Sequence, residues 1–304
     1  MANYKVYYAP AAGYTPMSPE DLPTELPPIS KPIPAPRTAR FYTAEQITEA
    51  AVEHFDILYL PLGVAHPASL PAAKRGNILP PVIFDREADA VRRSLATALK
   101  DGIRHLLVGN VGHIPLVREA MDACGLSPED VYLHGDFRLN VTNFLAAARL
   151  LSLGLCDLTL SPELTVPRMR DLARALPDRA CGMVYGRLPL MLLEKCAIRE
   201  IYRHRSPAEV CREICGRNAA VLRDRKGMDF PVLREDSPCG QGHRNVVYNS
   251  LPLCMSDRWD EVARIGLASH HFLFSVESPA EVDAVIRAYK SAAPLGRDVR
   301  RMVK

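Results

Sequence analysis

Short apolar runs recur along much of the chain, and more polar, helix-like stretches separate them. The runs follow one another at roughly 25 residues, which is close to the length of one strand-plus-helix unit. Each run is apolar throughout rather than alternating with polar residues, as expected for parallel strands that are buried on both faces. We predict strands at residues 56–60, 82–84, 105–108, 131–133, 157–160, 182–185 and 271–274.

Helical patterns occupy the intervals between most of these runs. Thr43 and Gln46 form a capping box for a helix over residues 43–54. Ser278 and Glu281 form a second capping box, which predicts a last helix near the end of the chain. Further helices are predicted at residues 86–101, 115–124, 142–153 and 167–176.

The number of strands points to a barrel. Together with an aromatic-rich run at residues 5–8, the predicted strands total about eight, the count of a (β/α)8 barrel. A doubly wound open sheet is the alternative, although no glycine-rich phosphate-binding loop follows the first strand. We therefore predict an α/β fold, a TIM-like (β/α)8 barrel, with a cysteine-rich, cluster-binding insertion near its C-terminal part.

The N-terminal segment differs from the rest of the chain. Residues 16–36 hold eight of the 26 prolines, so they are predicted as an extended linker rather than a regular element. We divide the chain into residues 1–40, an N-terminal strand and linker, and residues 41–304, a barrel domain with a cysteine-rich region at 185–250. Such an N-terminal segment also suits a chain that works beside another domain or subunit.

Composition narrows the functional class only slightly. The chain has 304 residues, of which 48% are hydrophobic and 24% charged, as in an ordinary globular protein. A formal net charge of +3 is too small to indicate a nucleic-acid partner by itself. No signal-peptide pattern and no membrane-spanning apolar run are present, so we expect a cytoplasmic protein. In that reducing compartment, grouped cysteines are more typical of a metal or cluster site than of disulfides.

Polar loops follow four of the predicted strands, at residues 109–113, 135–143, 161–164 and 185–187. In a (β/α)8 barrel the loops after the strands carry the chemistry. Asn, Asp and Gly also make ordinary turns, which explains any single loop equally well. Four such loops in succession favour a site, and the residues that we predict to act in it are Glu163, Asn143, Asn140, Arg187 and Tyr185.

Four of the eight cysteines cluster in the second half of the chain: Cys196, Cys211, Cys215 and Cys239. Ser206 and Glu209 form a capping box, which places Cys211 and Cys215 one turn apart on the same face of a helix. Four thiolates can fill a tetrahedral zinc site or hold a 4Fe–4S cluster, and the spacing alone does not separate the two. The other cysteines lie in apolar contexts and are predicted as core residues: Cys124, Cys156, Cys181 and Cys254.

With these residues in place, the chain from about residue 136 to residue 257 resembles the collagenase-like peptidase family, numbered thirty-two among peptidases of unknown mechanism. The resemblance is most specific between Gly186 and Cys239. The motifs that carry it are Asn-Val-Thr-Asn at 140–143, Leu-Ser-Pro-Glu-Leu at 160–164, Asp-Arg-Lys-Gly at 224–227, Phe-Pro-Val at 230–232 and Asn-Val-Val-Tyr-Asn-Ser at 245–250.

The family signature contains two glycines and two cysteines, and this chain matches half of it. Gly186 and Cys196 align with the first glycine and the second cysteine. Pro189 and Glu194 stand where the family has its first cysteine and second glycine. One signature thiol is therefore missing, and the helical cysteine pair could supply it.

The resemblance implies a barrel fold and a 4Fe–4S cluster on four cysteines, here Cys196, Cys211, Cys215 and Cys239. Members similar to this chain add hydroxyl groups without molecular oxygen. Some act on tRNA or rRNA bases, with prephenate as the apparent oxygen donor, and others on the ring of a ubiquinone precursor. Further members have been described as peptidases or collagenases.

Three functions stay open. An iron–sulfur hydroxylase of an RNA base is favoured by residues 199–226, which carry eight Lys or Arg against four acids, although a solvated helix face explains this span equally well. A peptidase needs an activated nucleophile or a metal-bound water, and neither Gly-x-Ser-x-Gly nor His-Glu-x-x-His is present, so proteolysis is the weaker hypothesis. A non-catalytic iron–sulfur partner of another chain is the third.

Overall fold

The structure is a computed structural model, and it describes residues 23–28, 36–206, 209, 220–236 and 243–303. The strands within these residues are β1 (Arg37–Arg40), β2 (Ile57–Pro61), β3 (Arg75–Ile78), β4 (His105–Val108), β5 (Tyr132–Gly135), β6 (Asp157–Thr159), β7 (Ala180–Gly186), β8 (Pro189–Leu193), β9 (Ala220–Arg223), β10 (Asp229–Asp236), β11 (His243–Tyr248), β12 (Leu253–Cys254) and β13 (Ser269–Leu273). The α-helices with described bounds are α1 (Glu49–His54), α2 (Asp85–Lys100), α3 (His113–Ala123), α4 (Phe144–Ser152), α5 (Val166–Ala175), α6 (Ala197–Ile201), α7 (Trp259–Ala263) and α8 (Pro279–Lys290).

Eight parallel strands close into a ring within the described part of the chain. The order around the ring is β7, β13, β1, β2, β3, β4, β5 and β6, and β6 pairs with β7 again. The ring has no open edge, so the predicted (β/α)8 barrel is confirmed and the open doubly wound sheet is wrong. Helices α2 to α5 connect successive strands from β3 to β7, as the sequence predicted.

Helix α2 shows why the helical predictions succeed. Its buried residues Glu87, Val91, Leu95 and Leu99 recur every fourth position, so they form one stripe against the barrel. The carboxylate of Glu87 accepts a hydrogen bond from the backbone N–H of Phe84 at 3.0 Å, which caps the start of the helix.

One of the predicted strands does not match the structure in the first third of the barrel, and a second lies outside the described residues. Residues 82–84 form no strand, because Phe84 is the N-cap residue of α2 and the chain from Pro80 onward leads into that helix. The strand in that unit is β3, whose Arg75 and Asn77 break the apolar pattern. The first barrel strand is β1, for which no pattern was recognised, whereas residues 5–8 lie outside the described residues.

The predicted helix over residues 43–54 is split in two. A short 3-10 turn covers Ala44–Gln46, and α1 begins only after Thr48, whose hydroxyl accepts the backbone N–H of Ala51. The break has a physical reason in the side chain of Gln46, which donates hydrogen bonds to the backbone oxygens of Ser275 and Glu277. The capping box of the last helix is as predicted, with α8 starting at Pro279.

A four-stranded antiparallel sheet, in the order β8, β11, β10 and β9, forms the second layer of the molecule. We call it the capping sheet, because its strands β10 and β11 help to enclose a cavity at the C-terminal end of the barrel. It is inserted between β7 and β13, within the segment predicted as a cysteine-rich region. Its strands were not predicted.

The centre of the barrel is filled by side chains of the strands. Ile57, Tyr59, Ile78 and Leu107 form an apolar cluster there, separate from the larger core between strands and helices. A Cβ atom at Gly76 would lie 2.4 Å from the ring of Tyr59, so glycine is required at that position. None of the helices among the described residues has the length and apolar character needed to cross a lipid bilayer.

Candidate functional site at the barrel mouth

A cavity of about 600 Å³ lies between the C-terminal end of the barrel and the capping sheet. The barrel side is built from residues at the ends of β1, β2, β3 and β13 and from the loop after β5. The capping sheet supplies residues of β10 and β11. Active sites of barrels of this kind lie at the C-terminal ends of the strands, so this cavity is the candidate site.

Two arginines meet over one carboxylate at the floor of the cavity. Arg40 is the last residue of β1 and Arg138 follows β5, and each donates a hydrogen bond of 3.2 Å to the same Oδ2 atom of Asp136. The exposed fractions of the two arginine side chains are 15% and 16%, and that of Asp136 is 3%. The other carboxylate oxygen of Asp136 accepts the backbone N–H of Phe137 at 2.9 Å.

The positive charge of Arg40 is poorly solvated. Burial and the neighbouring Arg138 lower the pKa of Arg40, and they outweigh the opposing effects of Asp136, Tyr248 and Glu235. Burial likewise raises the pKa of Tyr248, although the two arginines act in the opposite direction. Arg40 and Arg138, together with Asp136, therefore form a positively charged corner in a mostly apolar cavity. We call it the arginine corner.

A separate polar chain runs through the interior of the barrel. His105 Nδ1 and His134 Nε2 are 3.0 Å apart, and His134 Nδ1 lies 2.6 Å from Asp157 Oδ2. On the same interior, Thr159 Oγ1 lies 3.0 Å from His271 Nδ1, and burial lowers the pKa of His271 to about 4. These residues do not line the mouth cavity, so we regard them as a hydrogen-bonded filling of the barrel.

Three predicted catalytic residues lie together on neighbouring loops at the same end of the barrel. Asn140 adopts a left-handed backbone conformation, with φ of 51°, and its Oδ1 atom accepts a hydrogen bond of 2.6 Å from Ser161. The backbone N–H of Glu163 points to the same Ser161 hydroxyl at 3.4 Å. Asn143 is the N-cap residue of α4 and accepts the backbone N–H of Ala146. All three predicted residues are exposed, and none lines the mouth cavity.

Tyr185 and Arg187 lie at the end of β7, the strand that pairs with β6. The buried Tyr185 hydroxyl donates a hydrogen bond of 2.9 Å to Glu277 and accepts one of 2.7 Å from Arg297. Its pKa is raised, first by burial and then by the charge of Glu277. Arg187 is half-buried and donates to the backbone oxygens of Asn249 and Ser250. Their contacts tie β7 to the segments that follow it, and a catalytic role for either stays a prediction.

Cys196 lies in a short loop between β8 and α6, and contacts from other elements hold that loop on both sides. Its Sγ atom caps α6 by accepting the backbone N–H of Arg199 at 3.4 Å. Before it, Glu194 accepts a hydrogen bond of 2.7 Å from the buried Arg244 of β11. After it, the backbone N–H of Ala197 donates to Asn245 Oδ1 at 2.9 Å.

Arg244 also fixes the capping sheet to the barrel. It donates two hydrogen bonds of 2.8 Å to the buried carboxylate of Glu87 in α2 and one of 3.1 Å to the backbone oxygen of Val82. Its guanidinium lies over the Phe84 ring at 4.9 Å. The neighbouring residues Val246 and Tyr248 of β11 line the mouth cavity, so one strand supports both the Cys196 loop and the cavity wall.

The other predicted ligands, Cys211, Cys215 and Cys239, lie outside the described residues. The capping box that should start their helix is present, because Ser206 and Glu209 exchange hydrogen bonds of 2.7 Å and 3.3 Å. Among the cysteines predicted as core residues, Cys181 and Cys254 are buried and Cys124 and Cys156 are half-buried. The described residues contain no group of three or more His, Cys, Asp or Glu side chains that could hold a metal ion.

Sequence reasoning missed the residues that shape the cavity floor. Asp136 and Arg138 lie in the polar loop at residues 135–143 that the sequence singled out, but neither was selected. Arg40 gave no signal, because its partner Asp136 is 96 residues away along the chain. For Asp136 a signal was available in its position, since it directly follows the barrel strand β5.

The chain was also compared with known proteins. The family model for Peptidase family U32 matches residues 77–297. No curated protein matches the chain.

Solved structures show only distant similarity. The spore cortex-lytic enzyme SleL of Bacillus megaterium QM B1551 is 10% identical, with 92% of this chain and 77% of that chain covered and a TM-score of 0.36. The family GH18 chitinase from Cycas revoluta, in complex with allosamidin, is 12% identical, with 84% and 99% covered and a TM-score of 0.39. Such low scores say nothing about the activity of this chain. The family match, in contrast, spans well over half of the sequence, and the chain belongs to peptidase family U32.

Proposed function

We propose that this chain is an iron–sulfur enzyme that hydroxylates its substrate without molecular oxygen. The substrate class that we favour is a base of tRNA or rRNA, with a prephenate-type oxygen donor, and a quinone precursor is the alternative substrate. The resemblance of the cysteine region to such members of the family motivates the proposal. The 4Fe–4S cluster would supply the redox chemistry, and zinc is the alternative metal.

The observation that carries this proposal is the setting of Cys196. Its sulfur is half-buried and accepts a backbone N–H, an interaction that favours a thiolate and tunes a cluster sulfur. Arg244 and Asn245 hold the loop on either side of the cysteine. A ligand loop that is fixed before the metal binds needs little rearrangement, and contacts of this kind around ligands are typical of metal sites.

The first test is an anaerobic absorption spectrum with iron and sulfide analysis of the purified chain. Cys196→Ala should abolish the cluster, because a centre that lacks one thiolate becomes labile. Cys124→Ala is the matched control, since Cys124 is a half-buried thiol elsewhere in the barrel domain, and its iron content should be unchanged. Full iron content in the Cys196 variant would refute the ligand assignment.

The remaining ligands in this proposal are Cys211, Cys215 and Cys239. Replacing Cys211 and Cys215 separately by Ser should lower the iron content in both variants, if this pair, predicted to lie on one helix, replaces the missing signature thiol. If only one replacement lowers it, the helix supplies a single ligand and one iron lacks a protein sulfur.

The RNA part of the proposal is supported by exposed basic side chains that follow Cys196 and by others on the turn between β9 and β10. Arg199, Arg203, Arg225 and Lys226 are all exposed. Exposed cations of this kind bind phosphates. Such binding weakens as salt is added, because it depends on the release of counterions from the nucleic acid. Gel-shift titrations with tRNA and rRNA fragments at two salt concentrations test this, and binding that does not weaken with salt would contradict it.

Proteolysis is the second candidate function, because the family carries a peptidase name. Cleavage of casein or gelatin that survives removal of the cluster would support it against the hydroxylase.

A role as the iron–sulfur partner of another chain is the third candidate. Activity of the purified chain alone, with its cluster intact, would remove that option.

A further inference from the structure

We propose that the cavity at the barrel mouth binds a small organic carboxylate, with Arg40 and Arg138 as its anchors. The ligand would carry an apolar body next to its carboxylate. This site is distinct from the cysteine region, and the inference does not depend on the proposed cluster.

The first argument is the unused hydrogen-bonding capacity of the two arginines. A guanidinium has five N–H donors, yet Arg40 and Arg138 each make one hydrogen bond among the described residues, both to Asp136 Oδ2. The two guanidinium groups also make cation–π contacts with Phe137. Their Cζ atoms lie 5.9 Å and 5.6 Å from the centroid of that ring. Both side chains line the cavity, so the unused donors are available to a ligand there.

The second argument is charge. Arg234, Glu45 and Glu235 also line the cavity, so its walls are not uniformly positive. At the arginine corner, however, burial and the mutual repulsion of the two guanidinium groups exceed the stabilisation by the nearby acids, and the pKa of Arg40 is lowered. A second carboxylate at this corner would relieve that imbalance, because arginine forks bind carboxylates through paired N–H donors.

The third argument concerns the rest of the ligand. The volume of about 600 Å³ lies within the range of sites that hold small molecules, about 300–1,000 Å³. An inorganic anion would leave most of this space unfilled. The walls away from the arginines are largely apolar, with Phe41, Leu62, Ile78, Leu79, Val246 and Phe274. They suit a hydrocarbon or ring attached to the carboxylate.

Tyr248 adds a directional contact. It is 7% exposed and lies in the cavity wall, close enough to both arginines for their charges to affect its pKa. Its hydroxyl has no hydrogen-bond partner among the described residues, so it is free to donate to a ligand oxygen. Two guanidinium groups and one phenol then converge on the same anion.

Calorimetric titration of the purified full chain tests the site directly. The probe is 3-phenylpropanoate, the neutral match is 3-phenylpropanamide, and inorganic phosphate tests for simple anion binding. We expect the acid to bind, and the amide and phosphate to bind at least about tenfold more weakly, since a charge-assisted hydrogen bond contributes about one decade or more. Equal affinity for acid and amide, tighter binding of phosphate, or no binding of the acid would overturn the proposal.

Variants locate the site. Arg138→Met should weaken binding of the acid by at least about tenfold, whereas Arg223→Met, an exposed arginine of the capping sheet, should leave it unchanged. If Arg40→Met fails to fold, the Arg138 variant and the acid–amide comparison still decide the question. Wild-type affinity in Arg138→Met would refute the assignment. The cluster-free Cys196→Ala variant should bind the acid as the wild type does, so a failed cluster proposal remains distinguishable from a failed binding site.

Discussion

His54, the last residue of α1, has a buried ring. It is 5% exposed, and its centroid lies 4.9 Å and 6.1 Å from those of the Phe55 and Phe272 rings. Within the part of the chain that the structure describes, neither ring nitrogen has a hydrogen-bond partner. Burial, followed by the charges of Arg37 and Lys290, lowers the pKa of His54 to about 4. The unfolded chain has the ordinary histidine pKa of about 6.5.

This shift predicts an acid-dependent loss of stability. Below about pH 6.5 His54 binds a proton in the unfolded chain but not in the folded chain. The free energy of unfolding therefore falls as the pH falls. The contribution of His54 is fully present above about pH 6.5 and lost by about pH 4, and it amounts to at most about 3 kcal/mol. His54→Phe should therefore lose less stability on acidification than the wild type.

Urea unfolding at neutral and mildly acidic pH measures this difference. His204→Phe is the control, because His204 is exposed and its replacement should leave the wild-type pH dependence unchanged. Parallel curves for the wild type and His54→Phe would contradict the prediction.

Residue-scale chemistry was predictable from sequence where partners are close along the chain. The capping boxes at Ser206 and Ser278 are examples, since donor and acceptor lie three residues apart. The arginine corner was not predictable in this way. Arg40 and Asp136 are brought together only by closure of the barrel, and no local pattern records that contact.

At the scale of the elements, the end of β7 shows how tightly strands pack at the barrel mouth. Gly186 has φ of 131°, and a Cβ atom there would lie 2.4 Å from the backbone oxygen of Leu273 in β13. Both the backbone conformation and the contact require glycine. Gly186 is also the first glycine of the family signature, so this part of the signature has a structural cause.

Gly186→Ala should destabilise the protein by roughly 3 kcal/mol or more, because backbone strain and overpacking add. Gly227→Ala is the matched control: Gly227 also has positive φ, 78°, but nothing lies within 4 Å of the added carbon. It should cost only roughly 1–2 kcal/mol. Thermal unfolding of both variants tests the prediction, and equal losses would show that the contact with Leu273 relaxes.

Helices and strands with a continuous pattern of buried apolar residues were predicted from the sequence. Strands that mix apolar with charged or exposed residues were missed. Helix α2 has an unbroken stripe of buried positions, and β4 is buried along its whole length. The capping sheet has neither property. Strand β10 includes charged residues and Pro231, and β9 is half-exposed or exposed along its length, so neither gives a strand signal. Their stability comes from pairing with other strands, which composition does not encode.

At the scale of the whole molecule, the Arg244–Glu87 ion pair joins the capping sheet to the barrel. The exposed fractions of the two side chains are 4% and 2%. Removing one partner leaves the other charge buried, so Arg244→Met should lower the free energy of unfolding by about 3–5 kcal/mol. The Arg244→Met, Glu87→Met double variant should lose less than the sum of the single losses.

A double-mutant cycle by urea unfolding measures this coupling. Arg223→Met is the control, because its ion pair with Asp229 lies on the exposed surface of the same sheet and should contribute little. The proposed cluster site adds a second readout: with Cys196 as a ligand, the Arg244 variant should bind less iron, since Arg244 holds Glu194 beside Cys196. Additive losses in the cycle would show that the pair does not connect the two layers.

The closure of the barrel through β1 and β13 has a consequence for synthesis. These two strands pair in parallel, Arg37 opposite His270, although nearly all of the other described elements lie between them along the chain. On the ribosome β1 emerges before the other described strands, and its neighbour β13 emerges only after the capping sheet. Until β13 is made, the nascent chain therefore carries an open sheet edge at β1, and such edges aggregate or recruit chaperones. A ribosome slowed before β13 would reduce the yield of folded protein while leaving the finished molecule as stable as before.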